Sequence, residues 1–301
     1  MSPLLTATEQ AVVIVPHPER ECIRVRGSEA GSWLNGLASA DIAQVTPAQG
    51  VYSLLLNKVG KVQTDLDVVA ERGGLLLGVA AGLAEPIAAA LNRHLVMEDA
   101  ELELAPELCW VRLHGARSSE VLRQSSYPGG SIDWLGVGGA AVVVPREGLQ
   151  EALTGLLELG GPAALLATQL DWKRLRVLRG FPEFGVDYGP EDNPHEASLD
   201  RRAVSWSKGC YLGQEVVCMQ DLRGKLKRRV TLLQVPSGDA LAEQAPVSVQ
   251  SVADPVGNIT SSVVEGSSCF GLARLKAPFF EGTVPLSVAG SPAEIVAQPA
   301  R

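Results

Sequence analysis

Cys210 stands between two glycines in residues 207–215, Ser-Lys-Gly-Cys-Tyr-Leu-Gly-Gln-Glu. Gly209 and Gly213 free the backbone for a tight turn that presents the thiol. Lys208 precedes it by two residues, with Arg201 and Arg202 earlier in the chain. Cations close to a thiol favour the thiolate, the form that attacks electrophiles and binds metals. The competing reading is a buried structural cysteine, because free Cys is among the most buried residue types. Gln214 and Glu215 open the next strand or helix. They read either as capping and solvated surface, or as an amide and a carboxylate holding the glycine turn or a ligand edge.

A second set of groups lies in Gly60-Lys61-Val62-Gln63-Thr64-Asp65, followed by Leu66 and Asp67. In a strand, Gln63, Asp65 and Asp67 share one face and Val62, Thr64, Leu66 and Val68 the other. The acidic face is either wet or turned into a cavity, where carboxylates accept N–H bonds from a ligand. His17, His94, His114 and His195 show no partner spacing and read as structural or exposed.

The five cysteines (Cys22, Cys109, Cys210, Cys218, Cys269) include no Cys-x-x-Cys pair and no histidine at zinc-finger spacing. This argues against a disulfide framework and against a metal site made by this chain alone. Ligation shared with a partner stays open. Net charge is −8, which argues against a general nucleic-acid binder. The charge is uneven, for residues 173–229 carry 12 Lys/Arg against 8 Asp/Glu. That stretch is either a solvated stripe or an anion-attracting face near Cys210. Within it, residues 223–229 hold five Lys/Arg in seven, read as a charged strand entry in preference to an RNA dock.

These groups need elements to position them. The 301 residues, 46% hydrophobic and 20% charged, are enough for two or three packed units. The N-terminal stretch lacks a basic region with a signal-length apolar core, and the apolar run 74–91 is broken at Glu85-Pro86. A cytoplasmic protein with no membrane partner is expected. Strand signals fall at 22–26, 52–56, 62–69 and 75–80, and helices at 28–38 and 87–95. A second pass of similar order runs from 110 to 161, with strands 110–114 and 140–144 and helices 118–124 and 147–159. Residues 162–179 read as a helix with Pro162 in its first turn and Gly180 beyond its end. Residues 181–200 lack periodicity and read as a long ordered loop. From 230 on, short runs at 230–235, 247–252, 257–264, 270–275 and 284–288 read as a small antiparallel barrel or sandwich. The expected division is an α+β body, residues 1–222, made of two related layers with the loop 181–207 and the motif 207–215, and a β-barrel, residues 223–301.

Lys208-Gly209-Cys210-Tyr211-Leu212-Gly213-Gln214-Glu215 resembles the signature of the YgfZ family of folate-binding proteins. Pro194-His195-Glu196-Ala197-Ser198-Leu199 is similar to that family's Pro-x-Glu-x-x-Leu segment, and residues 23–42, with Gly27, Trp33-Leu34 and Asp41-Ile42, to its opening region. The resemblance runs from about Val13 to Phe279. More distantly, the chain resembles the aminomethyltransferase (T-protein) of the glycine cleavage system. The resemblance implies a ring of α+β subdomains around a central hole that accepts tetrahydrofolate, plus a C-terminal barrel. It implies a role assisting iron–sulfur cluster assembly or repair and affecting tRNA modification, with the assembly machinery or cluster-containing client enzymes as partners. Cys210 would be the working thiol, and Asp65, Asp67 and Tyr211 folate contacts, with no resident metal.

One departure bears on mechanism. Where the T-protein has Arg-Leu-Glu-Ala-Gly with a folate-reading glutamate, this chain has Arg176-Val177-Leu178-Arg179-Gly180. Leucine cannot accept the pterin's donor pair, and leaving such groups unpaired costs about 1–3 kcal/mol. This, and the cysteine motif that the T-protein lacks, favour an accessory factor over an enzyme. The alternatives are a tetrahydrofolate-dependent one-carbon transferase of the glycine-cleavage type and a folate-independent thiol scaffold.

Overall fold

Alternating apolar strands with one helix-covered face each must bury the other face, and here the two halves of the body bury theirs against one another. The computed structural model describes residues 3–296; residues 1–2 and 297–301, at the outer ends of the two expected units, lie outside the described residues. The chain begins α1 (Pro3–Gln10), β1 (Val13–His17), β2 (Glu21–Arg26), α2 (Ala30–Asn35), β3 (Val51–Leu56), β4 (Val62–Glu71), β5 (Gly74–Val79), α3 (Ala84–Asn92) and β6 (Glu101–Leu104). It continues β7 (Leu108–His114), α4 (Ser118–Gln124), β8 (Gly129–Ser131), β9 (Gly139–Pro145), α5 (Leu149–Gly160), β10 (Leu165–Leu166), α6 (Gln169–Leu178) and α7 (Gln214–Arg223). Two five-stranded sheets result, ordered β3-β4-β5-β2-β6 and β10-β1-β7-β9-β8.

One face of the first sheet packs on α2 and α3 through Ile23, Leu66, Leu77 and Ile87. One face of the second packs on α4 and α5 through Val111, Leu113, Val142 and Leu153. The remaining faces share a single core that includes Leu54, Leu76, Trp110 and Val143. The approach is close: a Cβ added to Gly78 would stand 2.7 Å from the Trp110 ring.

The pleat places Asp65 and Asp67 of β4 on that inner face, opposite Leu66 and Val68. Val62 departs from the simple alternation and joins the inner core. The reason is a register shift in the β3–β4 ladder, where Leu55 pairs with Thr64 but Leu56 with Val62. The extra residue, Gln63, reverses which side each residue before it faces.

The C-terminal strands β11 (Arg228–Val235), β12 (Pro246–Ser248), β13 (Gly257–Glu265), β14 (Ser268–Lys276), β15 (Leu286–Val288) and β16 (Ser291–Ile295) close into an antiparallel barrel, β11-β14-β13-β12-β15-β16. Leu233, Val247, Ile259, Leu275 and Val288 fill its interior. Residues 181–200 carry none of the named helices or strands, yet they are fastened on two sides. Asp192 meets Arg228 at 2.8 Å and Arg274 at 2.7 Å, both from the barrel, and Glu196 meets Lys61 of the β3–β4 turn at 3.3 Å.

The helix expected over 162–179 starts later than the pattern suggested. Leu165–Leu166 pairs in parallel with Val13 and Ile14 instead. Thr168 and Asp171 then form a reciprocal capping box that starts α6 at Gln169. Among the described residues no helix is long and apolar enough to cross a membrane.

Candidate functional site

The loop carrying Cys210 is held at three points. The Lys208 ammonium donates to the carbonyls of Asn35, Ala38 and Ala40, at 2.5, 2.9 and 2.8 Å, around the end of α2. The Leu212 N–H donates to Gly36 O at 3.0 Å. Gly213 is left-handed (φ 81°) and precedes α7 as its N-cap. A Cβ there would stand 2.5 Å from Asn57 O and 3.2 Å from the Gly60 Cα, so only glycine lets this turn lie on the β3–β4 turn. The same β4 that starts at that turn carries Asp65 and Asp67.

Between these anchors Gly209 and Cys210 are exposed, while Tyr211 is buried in the core. Gln214 is the first residue of α7, and Glu215, in its first turn, is exposed, where a negative charge complements the helix dipole. Cys22, Cys109 and Cys269 are buried, and Cys218 is intermediate. Burial pushes the Cys22 thiol up to about 12. Two of the cations expected to act on Cys210 are committed elsewhere, and Arg201 is exposed beside Asp200. Lys208 holds the three carbonyls above, and Arg202 donates to the carbonyls of Gly180 and Arg179 while lying over the Phe181 ring.

Asp65 and Asp67 meet two arginines that spacing did not single out. Asp67 is fully buried: its Oδ2 accepts from Arg112 Nη2 at 2.6 Å and lies 2.9 Å from Arg20 Nε, and its Oδ1 accepts the Trp134 indole N–H at 2.9 Å. Burial by itself raises its pKa, but Arg112 and Arg20 outweigh that and hold the carboxyl below its ordinary value. Asp65 accepts from Arg20 at 3.2 and 3.3 Å and from the Tyr52 hydroxyl at 3.2 Å. The sequence signal was available: Arg112 interrupts the apolar run Trp110-Val111-Arg112-Leu113 on the side that faces the other sheet.

Two cavities flank this network. One, of about 350 Å³, is bordered by Tyr52, Asp133, Trp134, Arg202, Trp206 and Ser207, and so reaches the start of the Cys210 loop. The other, of about 150 Å³, is lined by Asp65, Arg20 and Arg112 on one side and Trp172, Phe181 and Glu183 on another. His17 also lines it. This histidine is 2% exposed, bonds Glu19 through Nδ1 at 2.9 Å and has no partner at Nε2. Asp67 and Tyr211 border neither cavity. His195 lies 3.4 Å from Asp221 of α7, and its Nδ1 has no partner. No cluster of three or more metal-ligating side chains occurs among the described residues.

This architecture, two facing α+β layers with a closed barrel behind them, is that of the glycine-cleavage T-protein class. Residues 5–148 match the model of the GCVT N-terminal domain. The crystal structure of glycine cleavage system aminomethyltransferase T from Bartonella henselae superposes with a TM-score of 0.80 over 99% of this chain and 88% of that one, at 17% identity. Among curated proteins the chain is similar to the tRNA-modifying YgfZ proteins. It is 24% identical to the tRNA-modifying protein YgfZ of Colwellia psychrerythraea over 220 residues, 70% of this chain and 68% of that protein. It is 25% identical to YgfZ of Escherichia coli O127:H6 over 223 residues, 69% of this chain and 68% of that protein. A putative chloroplastic transferase of Arabidopsis thaliana matches at 24% over 295 residues, 90% of this chain and 67% of that protein.

Proposed function

We propose that the protein is a folate-binding accessory factor of YgfZ type, acting in iron–sulfur cluster assembly or repair, with Cys210 as its working thiol. The observation that carries this reading is the mounting of Cys210. It is the exposed member of the five cysteines, on a loop that Lys208 fastens to the end of α2 and Gly213 seats against the hairpin carrying Asp65. A thiol fixed in that way, in a reducing cytoplasm, is available to iron, sulfide or a client protein without forming a disulfide.

The lining of the 150 Å³ cavity supports a reduced folate as its occupant. Trp172 and Phe181 supply flat apolar walls, Asp65 and Glu183 supply acceptors, and His17 offers a buried Nε2 with no partner in the protein. Tetrahydrofolate, when bound, supplies a one-carbon carrier and a reductant. Asp65 would face the ring, Asp67 would hold Arg20 and Arg112 in place, and Tyr211 would anchor the cysteine loop from within the core. The body, residues 1–222, would hold the folate and the thiol, and the barrel, residues 223–301, would brace the loop 181–200.

The test is rescue of iron–sulfur enzyme activity in a bacterial strain deleted for its own YgfZ. Wild type is expected to restore activity, Cys218→Ser to do so nearly as well, and Cys210→Ser to fail at equal protein level. Equal rescue by wild type and Cys210→Ser would sink the proposal.

A further inference from the structure

Leu178, at the last turn of α6, is partly buried against the core and borders neither cavity. The chain then turns sharply. Arg179 caps α6, Gly180 is left-handed (φ 60°), Phe181 is buried, and Glu183 comes to the wall of the smaller cavity between Phe181 and Phe184. Its backbone is fixed there, because the Glu183 N–H donates to Asp187 Oδ2 at 2.9 Å. Asp187 is itself buried and held by Arg176 from α6 and by Thr260 and Ser261 from the barrel.

Three carboxylates line this cavity, and they differ in what they have left to offer. Asp65 is 7% exposed at the side chain and already accepts three bonds, two from Arg20 and one from Tyr52. Glu19 is tied to His17 at 2.9 Å on the turn between β1 and β2. Glu183 is 37% exposed at the side chain and accepts one long bond, from the Trp172 indole at 3.4 Å. Arg176 Nε stands 2.8 Å from its other oxygen as a counter-charge, without the alignment of a hydrogen bond. Glu183 therefore keeps open lone pairs on both oxygens beside the aromatic walls. An ionised carboxylate is an acceptor with two oxygens side by side, the complement of two adjacent N–H groups.

We propose that Glu183 reads the donor edge of the pterin ring, the ring amide N–H and the neighbouring amino group. This rests on the folate reading above and adds to it the residue that selects the head group. Trp172 positions Glu183 through its indole N–H, and the rings of Trp172 and Phe181, 6.1 Å apart, border the space the ring would enter.

The experiment is anaerobic calorimetry of the full chain with two probes, tetrahydropterin without a tail and p-aminobenzoylglutamate without a pterin. Glu183→Gln keeps shape and one acceptor but loses the second, and is expected to weaken tetrahydropterin binding about tenfold or more. Binding of the tail probe is expected to be unchanged, and circular dichroism melts check that the variant is folded. Tetrahydropterin binding by Glu183→Gln within about twofold of wild type overturns the assignment while leaving the folate reading intact. So does a loss on Glu19→Gln in place of Glu183→Gln. If wild type binds neither tetrahydropterin nor tetrahydrofolate, the folate reading falls and the assignment falls with it.

Discussion

Replacing Gly213 with alanine tests how the cysteine loop is held. At φ 81°, a residue with a Cβ pays about 1 kcal/mol for the left-handed conformation. The added carbon would stand 2.5 Å from Asn57 O and 3.2 Å from both Gly60 Cα and Leu56 Cβ. Two of these three atoms are backbone, so the β3–β4 turn itself has to shift, at about 1–3 kcal/mol for overpacking. The expected loss is about 2–4 kcal/mol. Gly209 in the same motif is the internal control. It is not left-handed, and a Cβ there meets nothing within 4 Å, so Gly209→Ala should change stability by under about 0.5 kcal/mol. Urea unfolding reads both, with the midpoint falling for Gly213→Ala at an unchanged slope. Equal stability of the two variants would refute the idea that contact with the hairpin turn seats the loop.

Asp67→Asn leaves Arg20 and Arg112 buried without their shared counter-charge. It should cost about 3–5 kcal/mol in urea unfolding; a loss under about 1 kcal/mol would mean the ion network is not structural. Burial, with Arg112 nearby, pushes the His114 pKa well below its ordinary value, and both ring nitrogens are unpartnered. Below pH 6.5 the unfolded chain therefore binds a proton that the folded chain excludes, and stability falls with pH by up to about 1.4 kcal/mol per unit. His114→Phe should flatten that slope between pH 6.5 and 5; an unchanged slope would assign it to other groups. Thiol titration of the native chain should find one fast-reacting cysteine of the five, absent in Cys210→Ser. A fast thiol surviving in that variant would point to Cys218.

Sequence reading went furthest where a pattern is local. The alternation in β4 placed Asp65 and Asp67 on a common face, and the five strand signals after residue 230 fall on strands of the barrel, which β16 completes. Whether that acidic face was wet could not be read locally. Arg20 comes from the turn before β2 and Arg112 from β7, each 45 residues from its aspartate in the chain. The same limit explains Leu165–Leu166, whose strand character depends on a partner at Val13 and Ile14. Lys208 shows it too. Its proximity to Cys210 in sequence suggested a charge acting on the thiol, whereas its donors go to carbonyls around the end of α2. Glu183 lay in a stretch without periodicity, so nothing in the pattern marked it as facing a cavity.

The most direct measurement is an anaerobic calorimetric titration of the full chain with tetrahydrofolate under reducing conditions, wild type beside Asp65→Asn. Saturable one-site binding by wild type, weakened in the variant, is the expected result and would put the ligand against β4. No heat of binding up to millimolar folate would contradict the folate-dependent role and leave Cys210 to act without that cofactor.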